Sequence, residues 1–304
     1  MQLEYFISLL LGGLAKGSIY ALIALGYTMV YGIIQLINFA HGEIYMIGAF
    51  TALIFSTVIT YTMPDTAFLI NVGISFTGAI IFAAAYGFTM ERIAYRPLRN
   101  APRLSALISA IGMSILLQNY VLLAQTPDFL PFPSLVPNFS FLEPIEYIVS
   151  SNQIVIIVTT IIVMILLTLL IKFTRVGKAM RATAQDKTMA QLIGINVDKI
   201  IAITFVIGSS TAALGGVLIS SNIGQINYYI GFIAGIKAFV AAVLGGIGSI
   251  PGAVLGSLIL GLTESFGSGY ISSDYEDAFA FIFLVIILIF KPEGILGRKD
   301  NQKV

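Results

Sequence analysis

The sequence predicts an all-α, polytopic integral membrane protein with about 8 transmembrane helices, some of them broken or re-entrant. Of its 304 residues, 58% are hydrophobic and only 10% are charged, whereas soluble domains have roughly 45–50% apolar and about 25% charged residues. The apolar residues form long continuous runs, which favours helices over the alternating pattern of a membrane β-barrel. We therefore expect a single transmembrane helical domain over residues 1–304.

Two of the apolar segments are longer than one membrane crossing requires. The segments are residues 6–34, 43–61, 68–90, 104–125, 152–172, 199–220, 234–267 and 276–290. The stretch Gly245–Gly252 interrupts the seventh, and Gly and Pro at this density break a helix. We expect two half-helices or a re-entrant pair there, and a broken or strongly tilted first segment.

Lysine and arginine occur in three parts of the chain and predict its orientation, because cations near span ends stay in the cytoplasm. These parts hold 14 of the 16 cations: Arg92, Arg96, Arg99 and Arg103; Lys172, Arg175, Lys178, Arg181, Lys187 and Lys199; and Lys291, Arg298, Lys299 and Lys303. Other connections carry only acidic charges, namely Asp65, Asp128, Glu143, Glu146 and Asp274. The C-terminus is therefore expected in the cytoplasm and the N-terminus outside. Segment 234–267 then starts and ends on the outer side.

A polar block, residues 38–43, interrupts the apolar run between Gly17 and Ala49. Polar side chains inside a membrane are costly and mark functional positions. The candidates here are Asn38, His41, Gly42 and Glu43. The block lies between two predicted spans at their cytoplasmic ends, so we interpret it as a turn or inner gate. His41 is expected to be a helix-end or hydrogen-bonding residue rather than a proton carrier.

The two remaining cations, Lys16 and Lys237, lie inside the two over-long segments. Lys16 borders a stripe of small residues that includes Gly17, so it faces packed helices or a cavity. Lys237 either faces the pathway or extends its ammonium group to the outer interface. If a midplane site exists, we expect it between the Gly17 stripe and the interrupted segment, where Gly245, Gly248 and Pro251 are further pathway candidates.

Acidic residues follow the seventh segment and are interpreted as a solvated outer patch, with contact to an external protein as the alternative. They are Asp274, Glu276 and Asp277. Glu264 and Glu43 are expected near opposite ends of the membrane, so a shared carboxylate site is not predicted.

The sequence repeats weakly. Residues 213–228 resemble residues 24–39, and corresponding interrupted segments in two halves of a transporter indicate a translocation site. Chance similarity is the alternative, and the sequence does not say whether a repeat would be parallel or inverted.

The long cytoplasmic connection, residues 173–198, predicts a short amphipathic helix that ends at Gly194. Its apolar side is formed by Met180, Ala184, Met189, Leu192 and Ile193. Such a face needs a partner, either the lipid surface or a groove on another protein.

Enzyme chemistry is not expected. One histidine and no cysteine leave no His/Cys metal cluster and no thiol nucleophile. The stretch Gly12–Ser18 lacks the spacing of a phosphate-binding P-loop. We therefore predict no catalytic residue, cofactor, metal or nucleic-acid partner.

Several long blocks resemble the permease of bacterial branched-chain amino acid ABC importers, and the H-type subunit in particular. They read YALIALGYTMVYGIIQLINFAHGEIYMIGAF, RPLRNAPRLSALISAIGMSILLQNYV, TRVGKAMRATAQDKTMAQLIGI, AAVLGGIGSIPGAVLG and KPEGILGR. The resemblance covers essentially the whole chain. It implies the bacterial inner membrane, a related M-type permease as heterodimer partner, two cytoplasmic ATP-binding subunits, an external substrate-binding protein and an amino acid substrate.

Carried onto this chain, the resemblance assigns residues 38–43 to the family's hallmark block and residues 181–194 to the coupling helix that contacts an ATPase. The implied coupling residues are Arg181, Ala184, Gln185, Met189, Leu192 and Gly194. The Glu-Ala-Ala of other importers is absent, and Thr183-Ala184-Gln185-Asp186 stands nearest to it. The predicted function is the permease of an importer for leucine, isoleucine or valine. The alternatives are a urea or short-chain amide importer, an ion-coupled secondary transporter and a channel.

Overall fold

The computed structural model is mostly helical. It describes residues 2–99, 101–140, 145–146, 148–291 and 293–297, except for the side chain of Arg103. The helices are α1 Gln2–Ile34, α2 His41–Thr62, α3 Phe68–Met90, α4 Arg103–Ala124, α5 Ser151–Phe173, α6 Arg175–Gln185, α7 Lys187–Leu192, α8 Val197–Ile223, α9 Ile230–Gly245, α10 Ile250–Tyr270 and α11 Glu276–Phe290. A π-helical turn, Glu91–Tyr95, and a 3-10 turn, Arg96–Leu98, continue α3. Two short strands, β1 Leu130–Pro131 and β2 Gln225–Ile226, pair antiparallel.

Within the described residues, 7 helices are long and apolar enough to cross a membrane. They are α1, α2, α3 with its extension, α4, α5, α8 and α10, and α9 is a shorter apolar helix. The prediction of an all-α, multi-pass membrane protein is thereby confirmed. Glu143 and the tail cations Arg298, Lys299 and Lys303 lie outside the described residues.

Apart from Lys16 and Lys237, the cations whose side chains the structure describes collect at one end of the bundle, which we call the cationic end (residues 91–99, 172–199 and 291). Arg99 joins Glu91 to Asp198, and Arg96 also binds Asp198. The ammonium group of Lys187 donates to the carbonyl of Ile34 at 3.4 Å, which places the last residue of α1 there. The first turns of α1 lie at the opposite end, where Tyr5 donates to the carbonyl of Gly269. That the cationic end faces the cytoplasm stays a prediction.

The first long segment is not broken, since α1 is one continuous helix of 33 residues. Of the two forms expected there, a break is absent and a strong tilt stays a prediction, whereas the break in the seventh segment is present. Gly246 and Gly248 adopt φ angles of +104° and +94° between α9 and α10, which L side chains rarely adopt. The chain doubles back at the cationic end, so α9 starts and α10 finishes toward the opposite end.

Two similar units run in opposite directions. α1 descends to the cationic end and leads through residues 35–40 into α2, and α8 ascends from that end and leads through residues 224–229 into α9. The units meet where the first turns of α2 and α9 touch, because a Cβ placed on Gly231 would lie 2.6 Å from the carbonyl oxygen of Gly42. The two stretches that resemble each other in sequence therefore run in opposite directions through the bundle.

Small residues let α1 pack directly on α10. A Cβ placed on Gly17 would lie 2.7 Å from the carbonyl oxygen of Ser257 and 2.8 Å from the Cα of Leu258. The Gly17 stripe therefore faces helix backbone, and no cavity opens at this position.

Replacing Gly17 with leucine is expected to lower the stability of the folded protein. The obstructing atoms belong to the backbone of α10, so the two helices must separate, which costs on the order of 1–3 kcal/mol. The matched control is Gly112→Leu in α4, since a Cβ at Gly112 meets nothing within 4 Å. Thermal unfolding of both detergent-purified variants checks this, and an equal loss in both would contradict the packing role.

Candidate functional site

The polar block at the start of α2 lies deep in the bundle. Glu43 is 1% exposed, and its Oε1 accepts hydrogen bonds from Ser114 at 2.9 Å and from Gln118 at 2.8 Å. These two partners lie 11 and 15 residues into α4, about 16 and 22 Å along its axis. Glu43 is therefore level with the middle of α4, not with its cationic end.

The connection 35–40 explains this depth. Gln35 has a φ of 56°, and the chain turns there and re-enters the bundle before α2 begins. The hydroxyl of Tyr95 donates to Oδ1 of buried Asn38 at 2.7 Å. The expectation that the whole block lies at the inner end was wrong, because it assumed that α2 starts where α1 stops.

His41 fills the space between α1, α2 and α8. Its ring contacts Gly26 and lies near Gly208, and it meets the ring of Tyr27 edge-on at 4.9 Å. A side chain at Gly26 would displace the imidazole, whereas a Cβ at Gly208 would lie 3.6 Å from the ring, an ordinary contact. Nε2 of His41, Oε2 of Glu43 and Nδ2 of Asn38 are buried without a hydrogen-bond partner among the described residues. His41 is the first residue of α2, and a helix-end or hydrogen-bonding role for it, rather than a role as proton carrier, stays a prediction.

Glycines hold the first turn of α2 against α9. A Cβ on Gly42 would lie 2.8 Å from the Cα of Gly235 and would also contact the carbonyl of Gly231. Oε2 of Glu43 points to the same place, 2.7 Å from a Cβ placed on Gly231. The first turns of two helices, a buried carboxylate and a histidine thus meet inside the bundle. Helix N-termini favour negative charge, and the orphaned carboxylate oxygen keeps one lone-pair site free for a donor.

The two lysines inside membrane segments belong to a second cluster, which we call the charge cluster. It consists of Lys16, Tyr20, Lys237, Glu264, Glu276 and Asp277. Lys237 is 7% exposed, and its ammonium lies 2.7 Å from Asp277, 3.2 Å from Glu264 and 3.6 Å from Glu276. Lys16 reaches Glu276 at 3.0 Å. Tyr20 donates to the other oxygen of Glu264 at 2.7 Å. The charge cluster joins α1, α9, α10 and α11.

The charge cluster corrects part of one expectation. Glu276 pairs with Lys16 and Lys237 and is half-buried, whereas Asp274 and Asp277 are exposed, as expected of a solvated patch. Lys237 itself is buried and pairs with three carboxylates, and whether its ammonium group reaches the membrane interface stays a prediction. Sequence reasoning missed Tyr20 and Glu264 as partners. The pairing of Lys237 with Glu264 could have been predicted, because cations within a membrane segment pair with buried carboxylates. Glu264 is one of the few carboxylates that lie within an apolar segment.

The break between α9 and α10 lies away from both clusters. Pro251 occupies the first turn of α10, and the Ser249 hydroxyl accepts from the amide of Gly252 at 3.2 Å as the N-cap. Gly245 packs on Gly252. Gly245 and Gly248 therefore form a tight turn at the cationic end, and Lys237, about 12 Å along α9 from Gly245, does not join them.

The coupling region forms two short helices instead of the single one expected. Asp186 ends α6 and N-caps α7, its carboxylate accepting from the amides of Thr188 and Met189 at 2.8 and 3.0 Å. Met180 and Ala190 are buried, whereas Met189, Leu192 and Ile193 are 60%, 74% and 74% exposed. The predicted apolar side is thus divided between an inward and an outward face.

The remaining coupling candidates hold this region together. Arg181 donates to the carbonyl of Ile171 at the end of α5. Ala184 packs partly against the core, Gln185 ends α6 exposed, and Gly194 terminates α7 with a φ of +87°. Burial, with a smaller effect of Arg99, lowers the pKa of Lys187, which links α7 to α1. Whether these residues contact an ATPase stays a prediction.

Among the described residues there is no group of three or more His, Asp or Glu side chains suited to a metal ion. The two clusters contain carboxylates, lysines and amides, which hold and orient charged groups. Such groups can hold a polar or charged solute by hydrogen bonds and ion pairs.

Comparisons with known proteins cover the whole chain. Residues 9–288 match the family described as "Branched-chain amino acid transport system / permease component". The chain is 50% identical over 306 residues to the high-affinity branched-chain amino acid transport system permease protein LivH of Escherichia coli K12, covering 100% of this chain and 99% of that protein. It is 51% identical, with the same coverage, to the permease protein BraD of Pseudomonas aeruginosa.

A more distant relative is the probable branched-chain amino acid transport permease protein LivH of Methanocaldococcus jannaschii, 26% identical over 94% of this chain and 91% of that protein. Family match and full-length identity agree with the multi-pass helical fold. The chain belongs to the permease component family of branched-chain amino acid transport systems.

Proposed function

We propose that this chain is the membrane permease subunit of an ATP-driven importer for leucine, isoleucine and valine in the bacterial inner membrane. The observation that carries the proposal is the identity of 50–51% to two such permeases over their full length. The chain would form half of the translocation pathway, with a related M-type permease forming the other half. Two cytoplasmic ATP-binding subunits and an external substrate-binding protein would complete the complex.

The coupling region supplies the route by which nucleotide binding would reach the membrane. An apolar, outward-facing α7 at the cationic end suits a groove on a protein partner. α7 contacts the end of α1 through Lys187, and α6 packs on α5 through Gly177, which lies against the carbonyls of Leu170 and Ile171. A displacement of α7 would therefore move both α5 and the start of the connection 35–40.

The buried block would then act as the gate. Residues 35–40 connect the end of α1 to the first turn of α2, where Gly42 lies against Gly231 and Gly235 of α9 and the Glu43 carboxylate lies beside Gly231. Small residues let the backbones of two helices approach closely, so that few side chains lie between them. A push on α7 would therefore shift the polar block, and this shift would open the pathway inward. The residues that would move are Asn38, His41, Gly42 and Glu43.

Reconstitution tests the proposal. The chain is placed in proteoliposomes with its M-type partner, both ATP-binding subunits and the binding protein, and uptake of radiolabelled leucine is measured with ATP, with a non-hydrolysable analogue and with an ion gradient alone. We expect uptake only with ATP. Uptake by this chain alone on an ion gradient would support a secondary transporter, and passive leakage without nucleotide would support a channel.

Substrate class is tested in the same vesicles. Excess isoleucine or valine is expected to compete with labelled leucine, and urea or acetamide is not. Competition by urea or acetamide alone would replace the amino acid assignment with the short-chain amide importer.

A further inference from the structure

A cavity of about 430 Å³ opens at the cationic end, between the last turns of α3 with its extension and the first turns of α8. It lies apart from the polar block and the charge cluster. Its lining includes the cations Arg92, Arg96 and Lys199 and the apolar residues Ala202, Ile203 and Val206. The three apolar residues follow Lys199 along α8 and form the apolar wall of the cavity.

Charge in this cavity is unbalanced. The two carboxylates that line it, Glu91 and Asp198, are already engaged, Glu91 by Arg99 and Asp198 by Arg96 and Arg99. Arg92 and Lys199 form no ion pair with any described residue, and both are exposed. Two cations therefore remain without anions, at a level where the chain leaves the apolar span.

The apolar wall favours an anion that carries a hydrocarbon chain over a small inorganic anion. A free inorganic phosphate would need only the cations, whereas an apolar surface below them would stay uncovered. Phe88 is 40% exposed, and its ring lies 6.0 Å from the guanidinium of Arg92, so the aromatic face and the cation line the same opening. A molecule with a negative head and a hydrocarbon tail satisfies both halves of the cavity.

We propose that this cavity binds the phosphodiester headgroup of an anionic phospholipid, with its acyl chain along Ala202, Ile203 and Val206. Arginine presents several donors in a planar fork suited to phosphate oxygens, and basic recesses between helices at this level of a membrane bind such headgroups. The lipid would hold the end of α3 against α8. The proposal is independent of the substrate that the permease carries.

The test uses the full-length protein purified in detergent, with phosphatidylglycerol and phosphatidylcholine of identical acyl chains as probes in native mass spectrometry. We expect phosphatidylglycerol to be retained at lower concentration than phosphatidylcholine. In the double variant Arg92→Gln, Lys199→Gln, its affinity should fall about 10- to 30-fold, the effect expected from two interfacial cations. The control Arg175→Gln, Lys178→Gln removes two exposed cations from α6 and should change affinity less than about twofold.

Three outcomes would overturn the proposal: equal retention of both lipids, equal losses in both double variants, or displacement of the lipid by millimolar inorganic phosphate, which would indicate a simple anion site. A second measurement uses only the wild-type protein, so its result does not depend on whether the variants fold. Hydrogen exchange of the wild-type protein should slow within residues 88–99 and 196–206 when phosphatidylglycerol is added, and unchanged exchange there would also contradict the site.

Discussion

Introducing two carboxylates on the outward face of α7, in the double variant Met189→Asp, Leu192→Asp, is expected to reduce ATP-driven uptake to the level seen without ATP. Both side chains are largely exposed, so the folded chain itself tolerates the change. If α7 docks in a groove of an ATP-binding subunit, two desolvated charges without partners would each cost several kcal/mol at that contact. Uptake in proteoliposomes and co-purification of the ATP-binding subunits measure the effect.

The control for this variant lies on the same helix. Gln191 is exposed and polar, so Gln191→Asp adds a carboxylate without placing it among the exposed apolar side chains. We expect it to keep most of the uptake. If both variants transport normally, α7 rests on lipid or in water, and the docking part of the proposed function fails although the family assignment stands.

Replacing Lys237 with methionine is expected to be the most destabilising single change in the charge cluster. Glu264 is fully buried and would lose its only cationic partner within the described residues, while Tyr20 alone continues to donate to it. Removing one member of a buried ion pair typically costs about 3–5 kcal/mol. Thermal unfolding of the purified protein in detergent should therefore shift strongly downward.

Two companion variants separate charge from packing. Lys16→Met removes a partner whose side chain is 38% exposed, for which the expected loss is only about 0–1 kcal/mol. The double variant Lys237→Met, Glu264→Gln removes the buried charge as well as its partner and should recover much of the stability. Equal losses for Lys16→Met and Lys237→Met, or no recovery in the double variant, would contradict this account.

Local features of the fold were predictable from the sequence. The apolar run at 152–172 gives α5, whose start is also marked by a capping box of Ser150 and Gln153. Glycines between α9 and α10 predicted the break because they take positive φ angles there. The division of the coupling region into α6 and α7 was missed, although Asp186 is a favoured N-cap residue.

Contacts between distant parts of the chain were not predictable in the same way. Lys16 and Glu276 are 260 residues apart, and no local pattern fixes which of several buried carboxylates a lysine meets. The depth of Glu43 depends on the path of residues 35–40, which re-enter the bundle after Gln35. Ser114 and Gln118, one turn apart in an apolar helix, indicate a buried polar partner, but only the packed bundle identifies it.

The residues after α11 supply hydrogen-bond donors to the C-terminal end of α9, about 50 residues earlier in the chain. The amides of Ile295 and Leu296 donate at 2.9 Å to the carbonyls of Leu244 and Gly245, in the last turn of α9, where carbonyls lack a donor within the helix. Gly294 allows this close approach, since a side chain there would collide with Gly246. An affinity tag or fluorescent fusion should therefore be attached beyond Gly297, because a chain shortened to Lys291 would leave the last turn of α9 without these hydrogen-bond donors.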